Sequence, residues 1–220
     1  MSIASRVSAL RKIMEERNID AYIIPSADNH QSEYVGEHFK SRQFISGFKG
    51  SAGTVVITKE KAGLWTDGRY FIQAEKELSG SGIDLFKMGE EGVPTVNEFV
   101  IENMPKNGIL GFDGRLISAG EGLELKAELE KKNVIIKYDE DLIDSVWEDR
   151  PSLSEEKAFV LEEKYAGESF QSKINSIRNV MKENSATIHV VTTLDEVAWI
   201  FNIRGNDVSY TPVVLAYAAI

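Results

Sequence analysis

Thr54-Val-Val-Ile-Thr-Lys-Glu-Lys-Ala-Gly-Leu-Trp-Thr66 sets two short apolar runs on either side of three charged residues. Thr54 to Thr58 and Gly63 to Thr66 read as strands, and Lys59-Glu60-Lys61 reads as the hairpin turn that joins them. Beyond Thr66 the pattern changes from hairpin to alternation. A helix is expected after Gly68 (Tyr70, Phe71, Ala74, Leu78), a strand over Ile83 to Met88, and a helix after Pro94 (Val96, Phe99, Val100). Ile109 to Phe112 then reads as a strand, Ser118 to Lys131 as a helix and Val134 to Tyr138 as a strand. Upstream, Ser2 is placed to cap a helix carrying Ile3, Val7, Leu10, Ile13 and Met14 at three- and four-residue steps, ending at Asn18. Ala21 to Ile24 is an apolar run too short for a helix and stopped by Pro25, hence a buried strand. A hairpin set within alternating strands and helices predicts an α/β fold, a mixed β-sheet flanked by helices, whose first domain closes near Trp147.

Composition narrows the function classes. With 42% apolar and 27% charged residues the chain of 220 has ordinary globular material for a core. Its formal charge of -10 repels phosphate at long range, which argues against nucleic acid and anionic membrane as partners. The absence of cysteine rules out a disulfide framework and a thiolate zinc site. No apolar run approaches the ~20 residues of a membrane span, and Met1 to Arg17 carries charges throughout, so the default location is the cytoplasm.

Asp149 to Lys157, with Pro151, two serines and five charges, reads as a linker. The expected organisation is a first domain over 1–150, a linker over 151–168 and a second unit over 169–220. In that unit Phe170, Ile174, Ile177, Val180 and Met181 mark a helix, Thr187 to Thr192 a strand, Leu194 to Phe201 a helix and Val213 to Ile220 a strand. It restarts the first: displaced by 167, Arg11, Ile13 and Met14 fall on Arg178, Val180 and Met181, and Ile23 and Ile24 on Val190 and Val191. With a shorter loop, Gly47 is paired with Gly205, and Val55 and Val56 with Val213 and Val214. An ending inside an apolar run leads to the expectation that 169–220 is the truncated beginning of a second, similar domain.

Four segments carry a more specific likeness: Pro25-Ser-Ala-Asp-Asn-His-Gln-Ser-Glu-Tyr34, Phe44-Ile-Ser-Gly-Phe-Lys-Gly-Ser-Ala-Gly-Thr54, Trp65-Thr-Asp-Gly-Arg-Tyr-Phe71 and Thr193-Leu-Asp-Glu-Val-Ala-Trp-Ile-Phe-Asn-Ile-Arg-Gly205. In this order and spacing they resemble the N-terminal region of the three-domain Xaa-Pro aminopeptidases (aminopeptidase P) of the creatinase and prolidase superfamily. The resemblance implies a creatinase-type N-terminal domain with a ribonuclease H-like motif. It implies a parent enzyme that releases an N-terminal residue before proline, with two divalent ions, manganese first among them, held by two Asp, two Glu and a His in a C-terminal pita-bread domain. Those ligands are not in this chain, so no cofactor is expected here, and the 220 residues alone are expected to be inactive. The role implied is to support homo-oligomer contacts and to wall the entrance through which peptide substrates pass. The competing reading is a stand-alone binding module; an amidinohydrolase of the creatinase kind ranks last.

Within those segments Asp28, His30, Glu33, Trp65 and Arg69 are the candidates for lining the substrate entrance or contacting another subunit; none is assigned as catalytic or as a metal ligand. Asp28, His30 and Glu33 sit in a polar loop after a strand, where αβ sheets present functional groups. The plainer alternative has Asp28 and Ser32 capping a helix that carries Glu33 and Tyr34. His30, Glu33 and His38 match no metal-ligand spacing. Gly47, Gly50 and Gly53 have the wrong spacing for a phosphate loop and read as turn and packing glycines, and Ser51 lacks a nucleophile elbow. Trp65, Asp67 and Arg69 alternate as one strand face would, either as a buried Asp67–Arg69 ion pair or reaching toward a substrate or subunit.

Overall fold

The computed structural model describes residues 1–220, which divide into two compact units: Met1–Asn29 with Phe39–Pro151, and His30–His38 with Ser152–Ile220.

In the first unit the Ser2 side chain accepts the Ser5 amide and opens α1 (Ile3–Glu16), whose buried residues Val7, Leu10 and Met14 repeat at helical spacing. β1 (Ala21–Pro25) comes next, then α2 (Ser41–Ser46) and the antiparallel hairpin β2 (Thr54–Thr58) and β3 (Ala62–Thr66). α3 (Phe71–Glu77) leads to β4 (Asp84–Lys87), parallel to β3. α4 (Val96–Asn103) leads to β5 (Ile109–Phe112), which lies parallel to β1, and α5 (Ala119–Leu129) to β6 (Ile135–Lys137). Both α4 and α5 start with reciprocal capping boxes, Thr95 with Glu98 and Ser118 with Glu121. The six-stranded mixed sheet runs β4-β3-β2-β1-β5-β6.

Alternation along the strands builds two cores. Tyr22, Ile24, Val55, Ile57 and Leu64 pack with Leu10 and Met14 of α1, while Ile23, Val56 and Trp65 pack with Phe99 and Val100 of α4 and Leu125 of α5. The glycine-rich loop after α2 closes around a buried cation. Arg42 donates from Nε to Ser26 Oγ at 2.8 Å and from its two terminal nitrogens to the Phe48 and Gly50 carbonyls. A Cβ on Gly50 would stand 2.2 Å from the Phe48 ring, and Gly47 ends α2 at φ +76. Turn geometry and close packing thus account for these glycines.

The second unit contains β7 (Phe159–Val160), α6 (Glu163–Ala166), α7 (Phe170–Glu183), β8 (Val190–Val191), α8 (Leu194–Ile200), β9 (Ile203–Arg204) and β10 (Ala218–Ala219). β7 pairs with β9 and β8 with β10, both antiparallel. Residues 151–168, read as linker, therefore include a paired strand and a helical turn. Of the strand expected over Val213 to Ile220 only β10 forms; Val213 is instead buried with Leu194, Ala198 and Val208.

The internal repeat is present in the backbone. α1 and α7 each span 14 residues, capped by Ser2 and Ser169, and each is followed by a left-handed residue, Asn18 at φ 55 and Ser185 at φ 54. Arg6 on α1 donates to the Phe44 carbonyl at 2.5 Å and lies 4.2 Å over the Phe44 ring. Lys173, its counterpart on α7, donates to the Trp199 carbonyl at 2.8 Å and lies 4.2 Å over the Trp199 ring. Hence α8 corresponds to α2, and the left-handed Asn202 (φ 51), not Gly205, corresponds to Gly47. The pairing of Val191 with Ala218 likewise matches that of Ile24 with Val55, so Ala218 and Ala219, not Val213 and Val214, correspond to Val55 and Val56. The connection is shorter before the helix and longer after it, a change no single displacement captures.

Candidate functional site

The loop His30 to Tyr34 joins Thr193, Leu194 and Asp195 at the start of α8, and Val208, Thr211 and Val213, around a cavity of about 330 Å³. His30 Nδ1 lies 2.8 Å from the Thr192 carbonyl. A carbonyl can only accept, so this bond assigns the proton to Nδ1. The imidazole also stacks on Tyr217 at 4.2 Å, and so ties the loop to the residues beside β8 and β10. Buried Leu194, Val208 and Val213 provide apolar lining, while Glu33 and Asp195 supply carboxylates and no Lys or Arg lines the space. An apolar recess with acidic groups at its edge accepts apolar and cationic groups and disfavours anions.

His30 and Glu33 are thus brought together with α8. The helix expected to carry Glu33 and Tyr34 does not form: both lie in bends after Gln31 at φ 58, and the first helical turn is a short 3₁₀ segment, Glu37–Phe39. Asp28, Trp65 and Arg69 belong to the first unit. Asp28 is buried. Trp65 is wholly buried, stacked 4.1 Å from Phe86, and donates from Nε1 to the Pro94 carbonyl at 2.8 Å. It offers no surface, and its polar atom is satisfied within the core.

Asp67 and Arg69 lie beyond β3, in the turn that the Tyr70 amide closes onto the Asp67 carbonyl, so the strand alternation ends before them. Their two-point ion pair at 2.9 Å is exposed rather than buried. The Arg69 guanidinium, joined by backbone amides, holds the Asp67 carboxyl at about 2. With a folded-state value below the unfolded one, whatever stability the pair contributes is present above the ordinary Asp range and is lost as pH falls toward 2; exposure keeps it small. Arg69→Gln is expected to return the Asp67 midpoint to the ordinary carboxylate range in a carboxyl-carbon NMR titration. An unmoved midpoint would show that backbone amides alone set it.

No three His, Asp or Glu side chains come together in a way that could hold a metal ion. Sequence reasoning passed over Tyr210, which stands fully exposed at φ 63 beside the cavity-lining Thr211. Its one sequence signal is a turn composition, Asn206-Asp207 before and Pro212 after.

Residues 6–145 and 149–220 match two family models, each described as the creatinase/prolidase N-terminal domain. A probable Xaa-Pro aminopeptidase P of Pyrenophora teres f. teres is 45% identical over 98% of this chain and 33% of its own length. Aminopeptidase P2 of Arabidopsis thaliana is 44% identical over 98% of this chain and 31% of its own. The chain thus spans about a third of the length of the curated relatives it matches. The crystal structure of the X-prolyl aminopeptidase of Caenorhabditis elegans, described as a cytosolic enzyme with a di-nuclear active site, superposes with a TM-score of 0.93 at 32% identity, covering 100% of this chain and 37% of that one. No helix here is long and apolar enough to cross a membrane. On these matches the chain belongs to the creatinase/prolidase N-terminal domain family.

Proposed function

We propose that this chain is the non-catalytic N-terminal portion of a metal-dependent Xaa-Pro aminopeptidase, an enzyme that releases the residue preceding proline at a peptide N-terminus. One observation carries the reading: the nematode enzyme matches every part of this chain, yet 63% of that enzyme lies outside the match. The chemistry is assigned to that remainder, with two divalent ions, manganese being the metal to test first. The cytoplasm is assigned from the cytosolic nematode enzyme. The present residues shape the substrate entrance and support homo-oligomer contacts. The cavity holding His30 and Glu33 supports the first role, and the exposed Asp67–Arg69 pair is the candidate polar contact for the second. Asp28 and Trp65, both buried, contribute by holding the backbone of the segments that bear these groups.

The test compares Xaa-Pro peptide hydrolysis, with added manganese, by the 220-residue chain and by the longer polypeptide of the same gene. Hydrolysis by the longer polypeptide alone is the expected result. Equal hydrolysis by the 220 residues would overturn the reading, as would a longer polypeptide that leaves Xaa-Pro bonds intact.

A further inference from the structure

Tyr210 is fully exposed, at 106% of its reference accessibility, and its backbone sits at φ 63. A bulky residue held there is strained, which Gly or Asn would largely avoid, and a ring packed against nothing recovers none of that cost. The loop around it is firmly built. The Thr211 amide donates to the Val208 carbonyl at 3.2 Å, the Val213 amide to the Thr211 carbonyl at 2.8 Å, and the Leu215 amide to Asp207 Oδ2 at 2.8 Å. Val208 and Val213 anchor it in a small core with Leu194 and Ala198. The other carboxylate oxygen, Asp207 Oδ1, is buried without a donor. A braced loop that holds an aromatic ring in strained backbone, with nothing in these 220 residues to receive it, has the character of an interface anchor.

We propose that Tyr210 anchors the second unit to the part of its own polypeptide that lies outside these 220 residues, its ring entering a recess on that part. The inference rests on the proposed function, in which such a part exists. The lengths of the relatives support this occupant, since about two thirds of each lies outside the match. Exposed Tyr34 lines the same cavity as Thr211, the chain neighbour of Tyr210. The acidic lining from Glu33 and Asp195 favours a facing surface that carries donors or cations.

The experiment introduces Tyr210→Asn and Tyr210→Phe into both the 220-residue chain and the longer polypeptide. Hydrogen exchange is followed at the Thr211 and Leu215 amides, together with the thermal midpoint. In the short chain Tyr210→Asn is expected to raise protection about fivefold by relieving strain. In the longer polypeptide it is expected to lower the midpoint and speed tryptic cleavage between the two parts, while Tyr210→Phe behaves much as wild type. Equal stabilisation of both forms by Tyr210→Asn would overturn the proposal, as would destabilisation of the short chain. A loss confined to self-association would make a second copy the occupant, and one confined to the peptide KM would make it the substrate; either overturns the proposal. Docking is read without reference to catalysis, so a failed Xaa-Pro assay and a failed anchor are told apart.

Discussion

Arg42→Met is expected to lower the unfolding free energy of the first unit by about 2–4 kcal/mol, because it strands several buried acceptors at once. The guanidinium holds Ser26 Oγ and the Phe48 and Gly50 carbonyls in a region where water does not replace it, and it also lies over the Phe48 ring at 4.8 Å. Methionine preserves much of the apolar volume and supplies no donor. Lys offers one flexible ammonium in place of a fork, so Arg42→Lys should recover only part of the loss. Burial lowers the Arg42 value to about 10 against the opposing pull of Glu77. Because the folded-state value is depressed for a base, the charged form is penalised at neutral pH, and that penalty fades only as pH rises above about 10. The variant's deficit should therefore be flat from about pH 6 to 9. Urea unfolding in a Trp199→Phe background leaves Trp65 and Trp147, both in the first unit, as reporters. A midpoint within error of wild type would show that the loop does not depend on its cation.

Lys173→Met should do comparable damage to the second unit, by about 2–3 kcal/mol, and leave the first unchanged. Lys173 is buried beside buried Asn202, and its ammonium donates to the Trp199 carbonyl at 2.8 Å and to Asn202 Oδ1 at 2.7 Å. Asn202 in turn donates to the Glu168 carbonyl at 2.8 Å, so the cation fixes both the end of α8 and the chain entering α7. Hydrogen exchange resolves the two units separately. Protection should fall at Val191 and Ala218 and stay constant at Val55 and Leu110. Loss of protection in both units, or in neither, would refute the local role given to Lys173.

These two cations mark where sequence reasoning stops. Caps, hairpins and buried strands are written in nearest neighbours: Ser2 and Ser118 cap the helices they precede, and the Lys59 turn joins β2 to β3. The partners of Arg42 and Lys173 are mostly backbone carbonyls set by tertiary folding, which leave no pattern in composition or period. Val213 illustrates a different limit. An apolar run can fill a core from an irregular loop as well as from a strand, and periodicity over a few residues does not separate the two. At the candidate site the polar loop after β1 was legible, since turn-forming residues come after an apolar run. Its conformation was not: Gln31 in the left-handed region breaks the helix that Asp28 and Ser32 would have capped. Residue type alone gives Trp65 a surface role, but strand register turns it into the core against Phe86 and Phe99.

The strand order also bears on how the chain folds as it is made. β1 lies between β2, which comes soon after it in the chain, and β5, which begins only at Ile109. At roughly 5–20 residues per second of synthesis, the β5 edge of Ala21-Tyr22-Ile23 stays open for several seconds after β1 leaves the ribosome. Such an open apolar edge templates pairing with other chains. Nascent chains should therefore be most prone to co-aggregation, and most in need of a chaperone, in the window before Phe112 emerges.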